Sequence, residues 1–301
     1  MSHDITTVFG GTGFLGSRIV RALATSGRRV RIAARHPIRP DWASDGDVIE
    51  LTNADIHDEG GVKRALADAT SVVNAVSLYV ESGGKNSFEA VHVKGAGRVA
   101  RLSHAAGIRQ LVLISGIGAS ASSPSAYVRA RARGEESVRA VFRDAIIMRP
   151  SVMFGPRDAL IANLARLSRL PMIPLFGRGE TRLQPVLVDD VAQAVAKRIG
   201  DMGSGRSLFE LGGARIYRYR ELVERVLAHL GRHRPLVPVP FVLWRTLALL
   251  ATPLPNPPLT RDQVLMMQED NVVGNGVGTF TDLGITPHSL EEKLTCCLGT
   301  Q

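Results

Sequence analysis

The chain has 301 residues, 45% of them apolar and 22% charged. That balance supports a large buried core and excludes a disordered or fibrous chain. Its 37 Lys and Arg outnumber 28 Asp and Glu, for a net charge of +9, which favours anionic partners such as nucleotide phosphates, nucleic acid or an anionic membrane surface. The 2 cysteines, Cys296 and Cys297, are adjacent, so neither a disulfide scaffold nor a Cys-based zinc site can be built from them. Free thiols in a reducing cytoplasm are expected instead.

The opening MSHDITTVFGGTGFLG shows no basic-then-apolar leader, so a cleaved signal is not expected. The most apolar short run, Phe241 to Ala251, carries Arg245, lies between Pro240 and Pro253, and is too short to cross a bilayer.

In chain order, the first half alternates β-branched runs with helical periodicity. Ile5 to Phe9 reads as a strand, followed by a glycine turn and a helix from about Gly13 to Ser26. Arg29 to Ala34, Asp47 to Leu51 and Ser71 to Val76 read as further strands. A long helical segment around Asn86 to Ala106 precedes a fifth strand, Gln110 to Ser115. A Ser- and Ala-rich loop, Gly118 to Ser125, leads to a helix from about Ala126 to Phe142, and Asp144 to Arg149 is a sixth strand closed by Pro150. This order predicts an α/β fold, a doubly wound parallel sheet of Rossmann type, with a smaller, mostly helical C-terminal lobe. Residues 1–155 are expected to bind a dinucleotide. Residues 156–301 are expected to face substrate or partner, with about 184–212 returning to the sheet.

Gly10-Gly11-Thr12-Gly13-Phe14-Leu15-Gly16 lies between the first strand and its helix. Gly10 and Gly13 permit a tight turn and close approach to a pyrophosphate, and Gly16 lets helix and strand pack closely. The helix N-terminus supplies amide donors and a partial positive charge. After the second strand comes Ala33-Ala34-Arg35-His36 and no carboxylate. An acidic residue there would hold the two ribose hydroxyls of NAD, whereas a guanidinium suits the 2′-phosphate, so Arg35 and His36 point to NADP(H).

These motifs resemble the extended and atypical short-chain dehydrogenase/reductases, the NAD-dependent epimerase/dehydratase type. Within that resemblance Asp55 and Ile56 lie in the segment that contacts adenine, and Asn74-Ala75-Val76 in the segment lining the cofactor. Pro150, Ser151 and Val152 fall beside the nicotinamide, and Gln184 to Ala192 matches a later motif at the sheet edge. A closer likeness runs from Tyr127 to Glu136, through Pro238-Val-Pro and Leu259 to Val264, to Asp270-Asn271-Val272 and Leu283 to Pro287. This order is similar to the group containing the NADPH-binding accessory subunit of respiratory complex I and its bacterial relatives.

In active members of the superfamily a Tyr is the general acid/base. A Lys four residues on binds the ribose and lowers the phenol pKa, and a Ser or Thr orients the substrate oxygen. Tyr127 and Ser115 hold the matching places, but Arg131 replaces the Lys, and a planar guanidinium is not equivalent to an ammonium. Two readings follow. The protein holds NADP(H) in a structural or accessory role for a respiratory complex or a quinone or lipid pathway. Alternatively, it is an active NADPH-dependent oxidoreductase or epimerase acting on a hydrophobic small molecule, with Tyr127 as acid/base, Ser115 its partner and Arg131 standing in for Lys. The loss of Lys and the likeness to the accessory subunit favour the first.

His229 and His233 are four apart but have Gly231 between them and no acidic partner, so no metal site is expected. Arg129, Arg131, Arg133, Arg139 and Arg143, tempered by Glu135 and Glu136, read as a solvated helix face; with few interleaved aromatics, nucleic-acid binding is not expected. From Pro235 to Pro258 an apolar helix either covers the cofactor cleft or lies in a membrane interface, with Arg232, Arg234, Arg245 and Arg261 reaching lipid phosphates. The expected location is cytoplasmic, peripheral on the inner membrane face in the second case.

Overall fold

The computed structural model describes residues 4–44, 46, 48–201, 205–252, 254 and 257–298; Asp47 and Pro253 lie outside the described residues. The first half runs β1 (Ile5–Phe9), α1 (Phe14–Thr25), β2 (Arg29–Ala34), β3 (Ile49–Asn53), α2 (Glu59–Leu66), β4 (Ala69–Asn74), a π-helix (Glu89–Gly95), α3 (Ala96–Ala105), β5 (Gln110–Ile114), α4 (Ala126–Val141) and β6 (Ile146–Pro150). The second half follows with β7 (Met153–Phe154), α5 (Ala159–Leu167), β8 (Ile173–Phe176), β9 (Arg182–Leu183), β10 (Val186–Leu187), α6 (Val188–Gly200) and β11 (Leu208–Leu211). It ends with β12 (Tyr217–Arg218), α7 (Tyr219–His229), β13 (Leu236–Val239), α8 (Phe241–Ala251), α9 (Arg261–Met266) and α10 (Leu290–Leu298).

Seven strands form one parallel sheet in the order β11-β6-β5-β4-β1-β2-β3. A strand exposes alternate residues to opposite faces, so a sheet covered on both sides needs apolar residues at every position. β1 meets that demand at Ile5, Val8 and Phe9 and buries Thr6 and Thr7 between them, Thr7 donating to the Ala65 carbonyl at 2.7 Å. Val8 packs with Ile19, Leu23, Val191 and Val195 of α1 and α6, while Phe9 packs on the other face with Val62 of α2 and Val99 of α3. A third cluster, with Phe154, Ile161, Leu175, Tyr217 and Leu222, forms the core of the C-terminal part.

Sequence and structure differ in three places. The sheet has a seventh strand, because β11 in the returning segment pairs with β6. The third strand begins at Ile49, and the fourth runs from Ala69 to Asn74, two residues earlier than its apolar pattern suggested. The long helical segment is not uniform: a π turn precedes α3. Its wider coil carries the His92 carbonyl against α4 so closely that a Cβ at Gly134 would lie 2.1 Å from that oxygen.

Candidate functional site

The strand order reverses between β4 and β1, and in such sheets ligands bind in the crevice beyond the carboxyl ends at that point. A cleft of about 1860 Å³ opens there. Gly10, at the end of β1, has φ +75, a conformation that an L side chain rarely adopts. Gly16 is needed for contact: a Cβ there would sit 2.0 Å from the Gly10 carbonyl oxygen. Gly13 is the N-cap of α1 and brings no capping side chain, and no acidic residue stands in the first turn. The helix dipole and first-turn amides are thus left for an anion. A dinucleotide pyrophosphate fits this cradle.

The residues expected to hold the cofactor converge on the cleft. Gly10, Thr12, Gly13, Phe14, Leu15, Gly16, Arg35, His36, Asp55, Ile56, Ala75, Val76, Ser115, Tyr127, Arg131, Pro150, Ser151 and Val152 all line it. Arg35 and His36 are exposed at its rim, and Asn53 Nδ2 donates to the Arg35 carbonyl. Asn74 is buried instead; its Oδ1 accepts from the Val76 amide at 3.2 Å and shapes the turn after β4. Asp55 Oδ1 accepts from the His57 amide at 2.9 Å. Ser151 is also engaged, with its hydroxyl 2.6 Å from Asn271 Oδ1, which also accepts from the Val152 amide at 3.0 Å.

Tyr127 stands on the first turn of α4, whose N-terminus is capped twice over. Ser125 Oγ accepts from the Val128 amide at 3.3 Å, and Asp262 of α9 accepts from the Tyr127 amide at 3.2 Å. The Tyr127 ring stacks on Tyr79 at 5.6 Å and meets the edges of Phe88 and His92 at 5.4 and 5.5 Å. One helical turn on, Arg131 donates to the phenol oxygen from Nε at 3.2 Å and from one terminal nitrogen at 2.8 Å. It also donates to Ser77 Oγ at 2.8 Å and to the Ile114 carbonyl at 2.8 Å. Burial opposes the Arg131 charge, but the oxygens of Tyr127 and Tyr79 outweigh it and raise its pKa above the ordinary value. His92 is pushed down to about 3, first by burial and then by the Arg131 charge; its Nε2 lies 2.9 Å from the Leu78 carbonyl. His92 is therefore a neutral imidazole at ordinary pH.

The solvated-face reading of the arginine-rich segment is corrected here. Arg133 and Arg143 are exposed, but Arg131 is only 6% exposed and Glu135 5%. The row Tyr127, Arg131, Glu135 follows the four-residue repeat of one helix face, and that face points inward. Ser115 Oγ donates to Glu135, whose two oxygens accept from Arg149 at 2.9 and 2.7 Å. Arg149 also reaches Glu210 of β11 at 3.3 Å. Its hydrogen bonds to Glu135 outweigh partial burial and raise the Arg149 pKa. Ser115 thus lines the cleft with its hydroxyl proton turned away from it. Sequence reasoning gave no role to Ser77, Tyr79, His92, Glu135 or Asn271; of these Glu135 carried a signal in its place two turns beyond Tyr127, and Asn271 in the Asp270-Asn271-Val272 segment.

The apolar helix from the proline-rich stretch is α8, and it lies at the mouth of this cleft through Trp244, Leu247, Leu250 and Ala251. Trp244 Nε1 donates to the Leu175 carbonyl at 3.0 Å, and its ring packs on Phe176 at 4.6 Å. Among the described residues no cluster of three His, Cys, Asp or Glu could hold a metal, and no helix is long and apolar enough to cross a membrane.

Residues 6–212 match the NAD dependent epimerase/dehydratase family. The chain is 32% identical over 308 residues to NADH dehydrogenase [ubiquinone] 1 alpha subcomplex subunit 9, mitochondrial, of Arabidopsis thaliana, covering 97% of this chain and 76% of that protein. It is 30% identical to the same-named protein of Mus musculus, covering 97% and 79%. Among solved structures, the NADPH-dependent quinone oxidoreductase QOR2 of Escherichia coli, complexed with NADPH, superposes with a TM-score of 0.74. It is 15% identical, and the match covers 96% of this chain and 98% of that one. The match spans the glycine turn, the Tyr127 helix and the seven-stranded sheet: the chain belongs to the NAD dependent epimerase/dehydratase family, and its relatives include mitochondrial NADH dehydrogenase [ubiquinone] subunits.

Proposed function

We propose that the protein holds NADP(H) as a lasting component in an accessory role, for a respiratory complex or a quinone or lipid pathway at the cytoplasmic face of a membrane. The observation that carries this reading is the state of Ser115. A serine hydroxyl has one proton, and here it goes to the buried Glu135. A carbonyl placed in the cleft therefore receives no hydrogen bond from Ser115. Four of the five Arg131 N–H groups are likewise taken up, by Tyr127, Ser77 and Ile114. A cradle that can take a dinucleotide, beside a Ser115 and an Arg131 engaged with their own neighbours, supports holding the cofactor over turning it over.

Arg35 at the rim, with no carboxylate beside it from Ala33 to Pro40, supports NADP(H) over NAD(H). The names of the mitochondrial relatives support a respiratory partner. A second reading, an NADPH-dependent oxidoreductase or epimerase with a hydrophobic substrate, draws on Tyr127. Its phenol lines the cleft beside a cation, and the cleft exceeds the roughly 300–1,000 Å³ of ordinary ligand pockets.

Exchange of bound nucleotide separates the two. Protein loaded with NADPH is mixed with a large excess of NADP, and loss of bound-cofactor fluorescence is followed. Retention for hours is the expected result. Release within seconds, together with steady NADPH oxidation on a hydrophobic ketone or quinone, would overturn the accessory role in favour of the enzyme.

A further inference from the structure

The cleft, about 1860 Å³, exceeds the roughly 300–1,000 Å³ of ordinary ligand pockets, and part of its lining away from the glycine turn is apolar. Beyond Ser151 and Val152 it continues between α5, through Leu160, Leu164 and Leu167, and Phe176 and Met266. It opens at a lip formed by Leu170, Leu247 and Leu250. This lip is not a closed packing surface: Leu170 is 42% exposed, Leu247 52% and Leu250 71%. Leu249 and Val242 on the same helix are 70% and 69% exposed, and Ala248 is the buried residue of α8. Contiguous exposed apolar groups at the rim of an apolar channel mark a ligand entrance or an interaction surface.

The charge around the lip selects the kind of ligand. Segments 159–179 and 230–261 contain seven arginines and no lysine, aspartate or glutamate. Arg232 and Arg234 converge on the end of α5, donating to Ser168 Oγ at 2.6 Å and to the Ser168 carbonyl at 3.2 Å. That places them beside Arg166, Arg169 and Leu170. Arg166 is itself a wall of the cleft. The nearest lining carboxylates are engaged, Asp158 by the amides of Ile161 and Gly155 and Asp270 by Arg182, which leaves Glu269. An apolar channel with guanidinium groups at its mouth matches a hydrocarbon chain that ends in an anion.

We infer that the apolar arm of the cleft binds the hydrocarbon chain of an anionic lipid, which enters over the Leu170–α8 lip and leaves its headgroup among the arginines. The inference rests on the membrane-side reading given above and adds a ligand to it. With the chain in the arm and the head at the lip, α8 lies against the surface from which the lipid comes.

The test is a titration of the NADPH-loaded protein with cis-parinaric acid, a fluorescent fatty acid, in detergent-free buffer. Saturated fatty acids of increasing length and lysophosphatidylglycerol serve as displacing ligands. The expected result is saturable binding of one chain per protein. Affinity should rise about fourfold per added methylene until the arm is full. It should fall tenfold or more with Leu247→Asp and Leu250→Asp together, and also with Arg166→Glu. These side chains are exposed or at the rim, so the variants keep the fold, which circular dichroism checks. Preference for lysophosphatidylglycerol over palmitate assigns the lipid to the bilayer; the reverse assigns it to free fatty acid. Binding that is non-saturable, indifferent to chain length or unchanged in the lip variants would overturn the inference. Nucleotide retention is read on the same samples. Lipid binding with fast nucleotide release sinks the accessory role alone, and retained nucleotide without lipid binding sinks the lipid site alone.

Discussion

Arg131 is the residue on which the accessory reading can be pressed hardest, and Arg131→Lys is the perturbation. The guanidinium makes four hydrogen bonds from three nitrogens: two to the Tyr127 hydroxyl, one to Ser77 Oγ and one to the Ile114 carbonyl. An ammonium offers three donors from a single atom and cannot span the same fork. It can keep the Tyr127 contact but not those to Ser77 and Ile114 as well. Two hydrogen bonds to a charged group, at about 1.5 kcal/mol each where water can enter, put the loss near 3 kcal/mol. For a chain of this size that lowers Tm by about 6 °C. NADPH affinity should weaken by about tenfold or less, because the glycine turn and the α1 amides are untouched. NADPH oxidation on quinones or ketones should stay at background, because Ser115 still gives its proton to Glu135. The measurements are a thermal melt, a fluorescence titration and a rate assay on one preparation. A melt that moves by less than 2 °C would show that the fork holds nothing. A rate that rises a hundredfold would show an acid/base pair that the arginine alone had been suppressing.

Three further outcomes are expected. Arg35→Glu replaces a phosphate donor with a like charge, and should weaken NADPH relative to NADH by about a hundredfold, some 3 kcal/mol for a paired contact and its reversal; an unchanged ratio in paired titrations would remove the case for NADP(H). Gly16→Ala would place a Cβ 2.0 Å from the Gly10 carbonyl, so the turn must open, and nucleotide should no longer raise Tm in a thermal-shift assay. His92 is held down to about 3 by burial and the Arg131 charge, against about 6.5 in the unfolded chain. Between those values the unfolded state binds the extra proton, so stability is complete above about pH 6.5 and declines as pH falls, by about 1.4 kcal/mol per unit for this group. His92→Phe should remove that part of the slope in melts from pH 7 to 5.

The first half of the fold was legible because its strands are short runs rich in β-branched residues set between helical patterns, and because Gly10, Gly13 and Gly16 mark the turn by their spacing. The seventh strand was harder, since Leu208–Leu211 pairs with β6 across 57 intervening residues that include two helices and four short strands. The π turn depends on Gly134, distant in sequence, admitting the His92 carbonyl. The site divides in the same way. Backbone-built parts, the phosphate cradle and the turns after β2 and β4, follow from local residue types. The fate of Ser115 depends on Glu135, Arg149 and Glu210, which lie on three separate elements, α4, β6 and β11. Local reasoning could place Tyr127, Arg131 and Glu135 on one face, but not say that the face was buried.

That division bears on how chemistry and binding are related in this protein. On the proposed reading, nucleotide binding rests mainly on backbone groups and on Arg35, none of which takes part in the Ser115–Glu135–Arg149–Glu210 chain. The two sets of groups are therefore physically separable, and the accessory reading requires the chemical set to be silenced at two points, at Arg131 and at Glu135. Glu135→Met frees the Ser115 proton but removes one partner of a buried pair, at a cost of about 3–5 kcal/mol that Arg149 can reduce by leaning on Glu210. Alone it should yield no turnover, because Tyr127 still faces the guanidinium; Arg131→Lys alone should yield none, because Ser115 is still engaged. Residues that act as a unit are strongly non-additive. The double variant, if it folds as judged by retained NADPH binding, should oxidise NADPH on a hydrophobic carbonyl or quinone faster than the product of the two single effects predicts. A double variant that binds NADPH and remains at background would refute the claim that these two positions alone hold the site silent.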